Sequence, residues 1–125
     1  MPIAVVALGG HVLLPMGQRP TMARQFSRTS QAIRCILPLL HMSWRLIISH
    51  GNGPQVGHIL IRAEAARKQA YSVPLSVAVA QSQGEIGYVI QQALHHVHSK
   101  LDLRQTDSRG GPSYGYRVAV GEAPQ

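Results

Sequence analysis

The chain has 125 residues, 45% of them hydrophobic and 14% charged, which fits one domain or part of one with enough material to bury a core. Twelve Lys and Arg against five Asp and Glu leave a formal charge of +7, a balance that attracts phosphate in general. The basic residues are scattered, however, and one Trp with one Phe make no stacking platform, so a nucleic-acid binder is disfavoured.

In chain order, Ile3 to Leu8 is an unbroken apolar run closed by Gly9-Gly10, the pattern of a parallel strand buried on both faces. No charged residue precedes this short run, which argues against a secretory leader. His11 to Pro20, with two prolines and Gly17, is expected to be loop. Thr21 is placed to cap a helix reaching about Leu40, with Ala32, Ile33, Ile36, Leu37 and Leu40 at helical spacing and Pro38 weakening its last turn. Cys35, the only cysteine, excludes an intrachain disulfide and reads as a buried thiol in a reducing compartment. Arg45 to Ser49 is a second buried strand, completing a βαβ unit.

Pro54 suits the first turn of a helix running to about Ala70, striped by Val56, Ile59, Leu60 and Ala63. "YSVP" interrupts it, and a further helix is expected from Leu75 to about His98, with Gly84 and Gly87 permitting close backbone approach. His95, His96 and His98 fall at its end and read as surface histidines rather than a metal site. From residue 99 the chain is dense in Gly, Ser, Pro and charge, read as a poorly ordered tail with at most a short strand at Tyr116 to Val120. No apolar stretch approaches the roughly 20 residues that span a bilayer. Together with the single cysteine, this sets the expectation of a cytoplasmic protein. Two apolar strands with unpaired edges look like the opening portion of a larger sheet.

Two glycine loops follow the carboxyl ends of the strands: "GGH" at Gly9 to His11 and "HGNGPQVG" at His50 to Gly57. Open α/β sheets bind ligands at that edge. Glycines let successive N–H groups converge on one point, and the second loop also opens a helix whose first turn favours an anion. Phosphate is the expected guest. A P-loop is excluded because no G-x-x-x-x-G-K-[ST] occurs, and "LGGHVL" lacks the third glycine of a dinucleotide fingerprint.

"VVALGG", "SHGNGPQVG", "YSVPLSV" and "QSQGEIGYVIQQAL", in this order from Val5 to Leu94, resemble carbamate kinases of the amino acid kinase superfamily. The resemblance runs from about Ile3 to Leu94. It implies a three-layer α/β/α fold, here incomplete, with a parallel βαβ core plus helices. It also implies reversible phosphoryl transfer between ATP and carbamate with Mg²⁺, in a cytoplasmic homodimer serving arginine catabolism or nitrogen metabolism. Matched position by position, Gly9 and Gly10 would face the phosphates. Gly51, Asn52 and Gly53 would lie near carbamate and the moving phosphoryl group, and Gln83 and Gly84 would help to position the acceptor. His50 matches the family histidine before the second loop and would orient that loop. His11 replaces the asparagine of the family's "GGNAL", a change that alters the first loop; simple drift is the preferred reading, with the imidazole as a candidate base the alternative.

The family's adenine site and its charge-neutralising lysines and aspartate lie mainly in a later portion that nothing after Leu94 resembles. The only lysines here are Lys68 and Lys100. The expectation is therefore a kinase-like segment over residues 1–98, a divergent tail over 99–125, and a truncated form inactive by itself. The alternative is a non-catalytic module pairing with a full-length kinase subunit. The change of character after His98 also fits a misframed gene.

Overall fold

In a computed structural model, the structure describes residues 2–105. Strand β1 (Ile3–Leu8) leads into a single turn of helix, α1 (Gly10–Leu13), and then into the long helix α2 (Met22–His41). Strand β2 (Arg45–His50) follows, then α3 (Gly53–Ala65) and α4 (Leu75–Gln105). The strands pair in parallel with Ile3 opposite Arg45 and Leu8 opposite His50. This is the expected βαβ core with helices, an α/β fold.

Local chemistry explains the boundaries. Thr21, in an extended conformation, caps α2 by accepting from the Arg24 N–H at 3.1 Å. Pro38 is accommodated without ending the helix: it stands in the last turn, and its carbonyl accepts from the Met42 N–H at 3.1 Å. Ser43 then takes a left-handed conformation, φ 63°, which turns the chain into β2. The segment expected to be loop contains α1, because Leu13 and Leu14 bury themselves and fold Gly10 to Leu13 back into a turn. Helix α3 stops at Ala65, earlier than expected, since Arg67 to Ala70 are exposed and offer no apolar stripe to hold a further turn. Helix α4 runs past the expected His98 to Gln105 through good helix formers. The expected strand at 116–120 lies outside the described residues.

The core sits on one side of the sheet. Val6, Leu8 and Ile48 pack against Ile33 and Leu37 of α2 and Ile86, Ile90, Ala93, Leu94 and Val97 of α4, with Leu13 of α1 closing one end. The opposite sheet face is open, contrary to the expectation of strands buried on both faces: Ile3 is 52% exposed, Val5 69% and Ile47 53%. Helices cover one face only among the described residues, so the pleat separates alternate side chains into packed and solvent-facing sets. Cys35 is exposed rather than buried. The inward row of α2 is Gln25, Thr29, Ile33 and Leu37, and Cys35 lies two residues out of phase with it. Among the described residues no helix is long and apolar enough to cross a membrane.

Candidate functional site

The two glycine turns meet. The Gly51 N–H donates to the Leu8 carbonyl at 2.8 Å, carrying the β1–β2 ladder one step beyond the strands. A Cβ on Gly51 would stand 3.2 Å from the Gly10 nitrogen and 3.8 Å from Gly9 Cα. A Cβ on Gly10 would stand 2.8 Å from Pro54 Cδ and 3.3 Å from the Gly53 nitrogen. Only glycine at position 10 lets the turns close to this distance, because 2.8 Å is inside any real carbon contact.

Both turns open helices whose ends are left uncapped by side chains. Gly9 caps α1 with backbone alone, and its carbonyl accepts from the Val12 N–H at 3.0 Å. Asn52 occupies the cap of α3 without a side-chain cap bond. Its amide Nδ2 instead donates to the Ser82 hydroxyl of α4 at 3.1 Å, and Ser82 donates to the Val79 carbonyl at 2.6 Å. Asn52 thus ties the second turn to α4 and leaves the first-turn N–H groups of α3 without the partner an Asn cap ordinarily supplies. Of α1, α2 and α3, α2 is the one with the ordinary side-chain cap, from Thr21. The glycine turn before α1 and the start of the 13-residue α3 therefore lie together at the carboxyl ends of adjacent strands, and α3 is the one long enough for its dipole to favour an anion.

His50 Nδ1 lies 3.2 Å from the Gly51 carbonyl oxygen. A carbonyl only accepts, so in this contact Nδ1 is the donor, and Nε2 is buried with no hydrogen-bond partner among the described residues. The contact places the imidazole against the Gly51–Asn52 peptide. His11 projects from α1 into solvent.

Of the expected site residues, Gly9, Gly10, Gly51, Asn52 and Gly53 come together, with His11 beside them. Gln83 and Gly84 belong to α4 and reach the turns only through their neighbour Ser82. Gly84 is exposed, and a Cβ there would meet nothing within 4 Å, so it allows no close backbone approach among the described residues. His95 and His96 are exposed, and no group of three or more His, Cys, Asp or Glu among the described residues could hold a metal ion.

Sequence reasoning missed a buried polar chain behind the turns. Gln55 Nε2 donates to the Gly10 carbonyl at 3.4 Å and to Gln25 Oε1 at 3.2 Å, and Gln25 Nε2 donates to Glu85 Oε1 at 3.1 Å. Gln25 and Gln55 are each 1% exposed. Their only sequence signal is that Gln25 falls on the same helical row as Thr29, Ile33 and Leu37.

No family model matches the chain. Comparison with known proteins finds 45% identity over 94 residues to the carbamate kinase of Escherichia coli strain K12, covering 75% of this chain and 31% of that protein. The carbamate kinase of Pyrococcus furiosus is 40% identical over 104 residues, covering 81% of this chain and 33% of its own length. Among solved structures, carbamate kinase from Giardia lamblia bound to AMP-PNP superposes with a TM-score of 0.76 at 32% identity, over 81% of this chain and 32% of that one. The same enzyme bound to citric acid gives the same score. Over at least three-quarters of its residues this chain is similar in sequence and in fold to carbamate kinases, and it spans about a third of the length of the relatives it matches.

Proposed function

We propose that this chain supplies the phosphoryl- and acceptor-facing turns of an ATP:carbamate phosphotransferase, and that its 125 residues alone bind the anion without turning it over. The observation that carries the reading is the meeting of two uncapped glycine turns at adjacent strand ends, where a Cβ on Gly51 would lie 3.2 Å from the Gly10 nitrogen. In this reading Gly9 and Gly10 hold a nucleotide phosphate, while Gly51, Asn52 and Gly53 hold carbamate and the moving phosphoryl group. Gln83 and Gly84 position the acceptor from α4, and His11 adds a first-turn N–H. Phosphoryl transfer depends mainly on alignment and on stabilising charge in flight, and fixed N–H donors supply both.

The rest of the chemistry asks for groups these residues lack. Lys68 follows the far end of α3, away from the turns, and the described residues hold no acidic cluster for Mg²⁺. Loss of one oxyanion donor alone costs roughly 100–1000-fold in rate, so turns without neutralising cations should hold phosphate and move it very slowly. The kinase-like segment is assigned to residues 1–98, and a cytoplasmic setting and a homodimer belong to the same proposal.

The test is a titration of the 125-residue chain with carbamoyl phosphate and AMP-PNP, followed by amide NMR, beside an assay for ATP formed from ADP and carbamoyl phosphate. The expected result is saturable movement of the Gly10 and Gly53 amide resonances with no ATP above background. Resonances that ignore both ligands would sink the reading, and turnover would sink its second half.

A second reading is favoured by the open sheet face. Ile3, Val5 and Ile47 form an apolar surface suited to a partner, here a full-length kinase subunit. Size-exclusion chromatography with and without a full-length carbamate kinase distinguishes it: co-elution supports pairing, and separate elution at micromolar concentration removes it.

A further inference from the structure

We propose that Gln25, Gln55 and Glu85 are positioning residues: a directional relay of side-chain amides that sets the spacing of the two glycine turns from the α4 side. The proposal deepens the anion-binding reading and rests on it for its ligand.

Two glutamines buried in a small core need a reason. A buried amide costs roughly 1–3 kcal/mol unless hydrogen-bonded, and leucine would fill similar space without that cost. Here the bonds form one chain with a fixed sense. The Glu85 carboxylate, when ionised, only accepts, so Gln25 must turn its Nε2 toward Glu85 and its Oε1 toward Gln55. Gln55 must then turn Nε2 toward Gln25 and the Gly10 carbonyl. The opposite flip would set the Gln55 oxygen against two acceptors. Which way each amide points, ordinarily ambiguous, is decided here from both ends, by the Glu85 carboxylate and by the Gly10 carbonyl, which also only accepts.

The relay's geometry joins the two turns. Gln55 stands in the first turn of α3, two residues after Gly53, and its amide grips Gly10 at the start of α1. Its Oε1 is buried without a partner among the described residues and would lie 3.0 Å from a Cβ on Gly10. Gln25 is hydrogen-bonded to Gln55 and Glu85 rather than to the backbone of either turn, yet it holds the amide that reaches Gly10. One turn further along the same helix, the Thr29 hydroxyl donates to the Gln25 carbonyl at 2.7 Å. Arg62 of α3 approaches the other Glu85 oxygen at 4.0 Å, so α2, α3 and α4 converge on one carboxylate.

The test uses amide NMR of the full 125-residue chain, first without ligand. Gln25→Leu should shift or broaden the Gly9, Gly10 and His11 resonances although the Gln25 side chain is bonded to Gln55 and Glu85 and not to those residues. Glu85→Leu, a change at a partly exposed position outside the core cluster, should do the same. Glu85→Gln should leave them in place, because an amide oxygen still accepts from Gln25. In a second arm with inorganic phosphate, Gln25→Leu should weaken binding about tenfold. Ile33→Val, a core change outside the relay, should lower the thermal midpoint without changing phosphate affinity. Loop resonances unmoved by both Gln25→Leu and Glu85→Leu would overturn the relay, as would Glu85→Gln behaving like Glu85→Leu. If the parent chain ignores phosphate, the anion-binding reading fails, and the relay still stands or falls on the ligand-free spectra.

Discussion

Glycine means different things at Gly10 and Gly84, and the difference can be measured. A methyl group on Gly10 would collide with Pro54 Cδ at 2.8 Å and crowd Gln55 Oε1 at 3.0 Å. Neither neighbour can yield freely: proline is a rigid ring in the first turn of α3, and the Gln55 amide is held by two bonds. Gly10→Ala should therefore cost about 1–3 kcal/mol, the range for overpacking a tight contact. Gly84 sits in open space inside a helix, so Gly84→Ala should stabilise by about 0.5–1 kcal/mol through the lower entropy of the unfolded chain. Urea denaturation of the pair should move the midpoint in opposite directions. Both glycines were visible in the sequence as parts of motifs, but their environments were not. Whether a glycine faces another backbone or solvent depends on partners 40 or more residues away, such as Gly10 and Pro54.

At the scale of elements, helix ends follow local chemistry closely enough to predict. Thr21→Ala removes the side-chain acceptor for the Arg24 N–H and should cost about 1 kcal/mol, read as a lower thermal midpoint. Ser43 pays the left-handed penalty at the exit of α2, so Ser43→Gly should recover about 1 kcal/mol by the same measurement. The start of α2 was legible because a cap and its periodic row are written within one stretch of sequence. The end of α3 was not, since Arg67 to Ala70 have fair helix propensity and only the absence of a packing partner stops them. The site divides in the same way. Its two turns stood out as glycine patterns after apolar runs, whereas Gln25 and Gln55 looked like ordinary surface residues, because glutamine is seldom buried. Their burial is a product of three helices meeting, which no single segment encodes.

Across the whole molecule, the pleat of the two-stranded sheet separates what stability needs from what association can use. Val5 and Ile47 are register partners on the open face, while Val6 and Ile48, one step along, pack into the core. An apolar run such as Ile3 to Leu8 looks the same in sequence whether one or both faces are covered, which is why the open face was not foreseen. The adjacent positions should respond differently to a charge. Val6→Lys would set an ammonium against the apolar cluster at a partly buried position and should lower the thermal midpoint markedly. Val5→Lys with Ile47→Lys adds two solvated charges to a surface already in water, so the thermal midpoint should stay within a few degrees. Lysines on such a face are a common means of blocking sheet association. Light scattering coupled to size-exclusion chromatography should then show the double variant monomeric at concentrations where the parent chain self-associates or joins a full-length subunit. Unchanged assembly in that variant would mean that the open face is not the contact surface, and the free edges of β1 and β2 would be the next place to look.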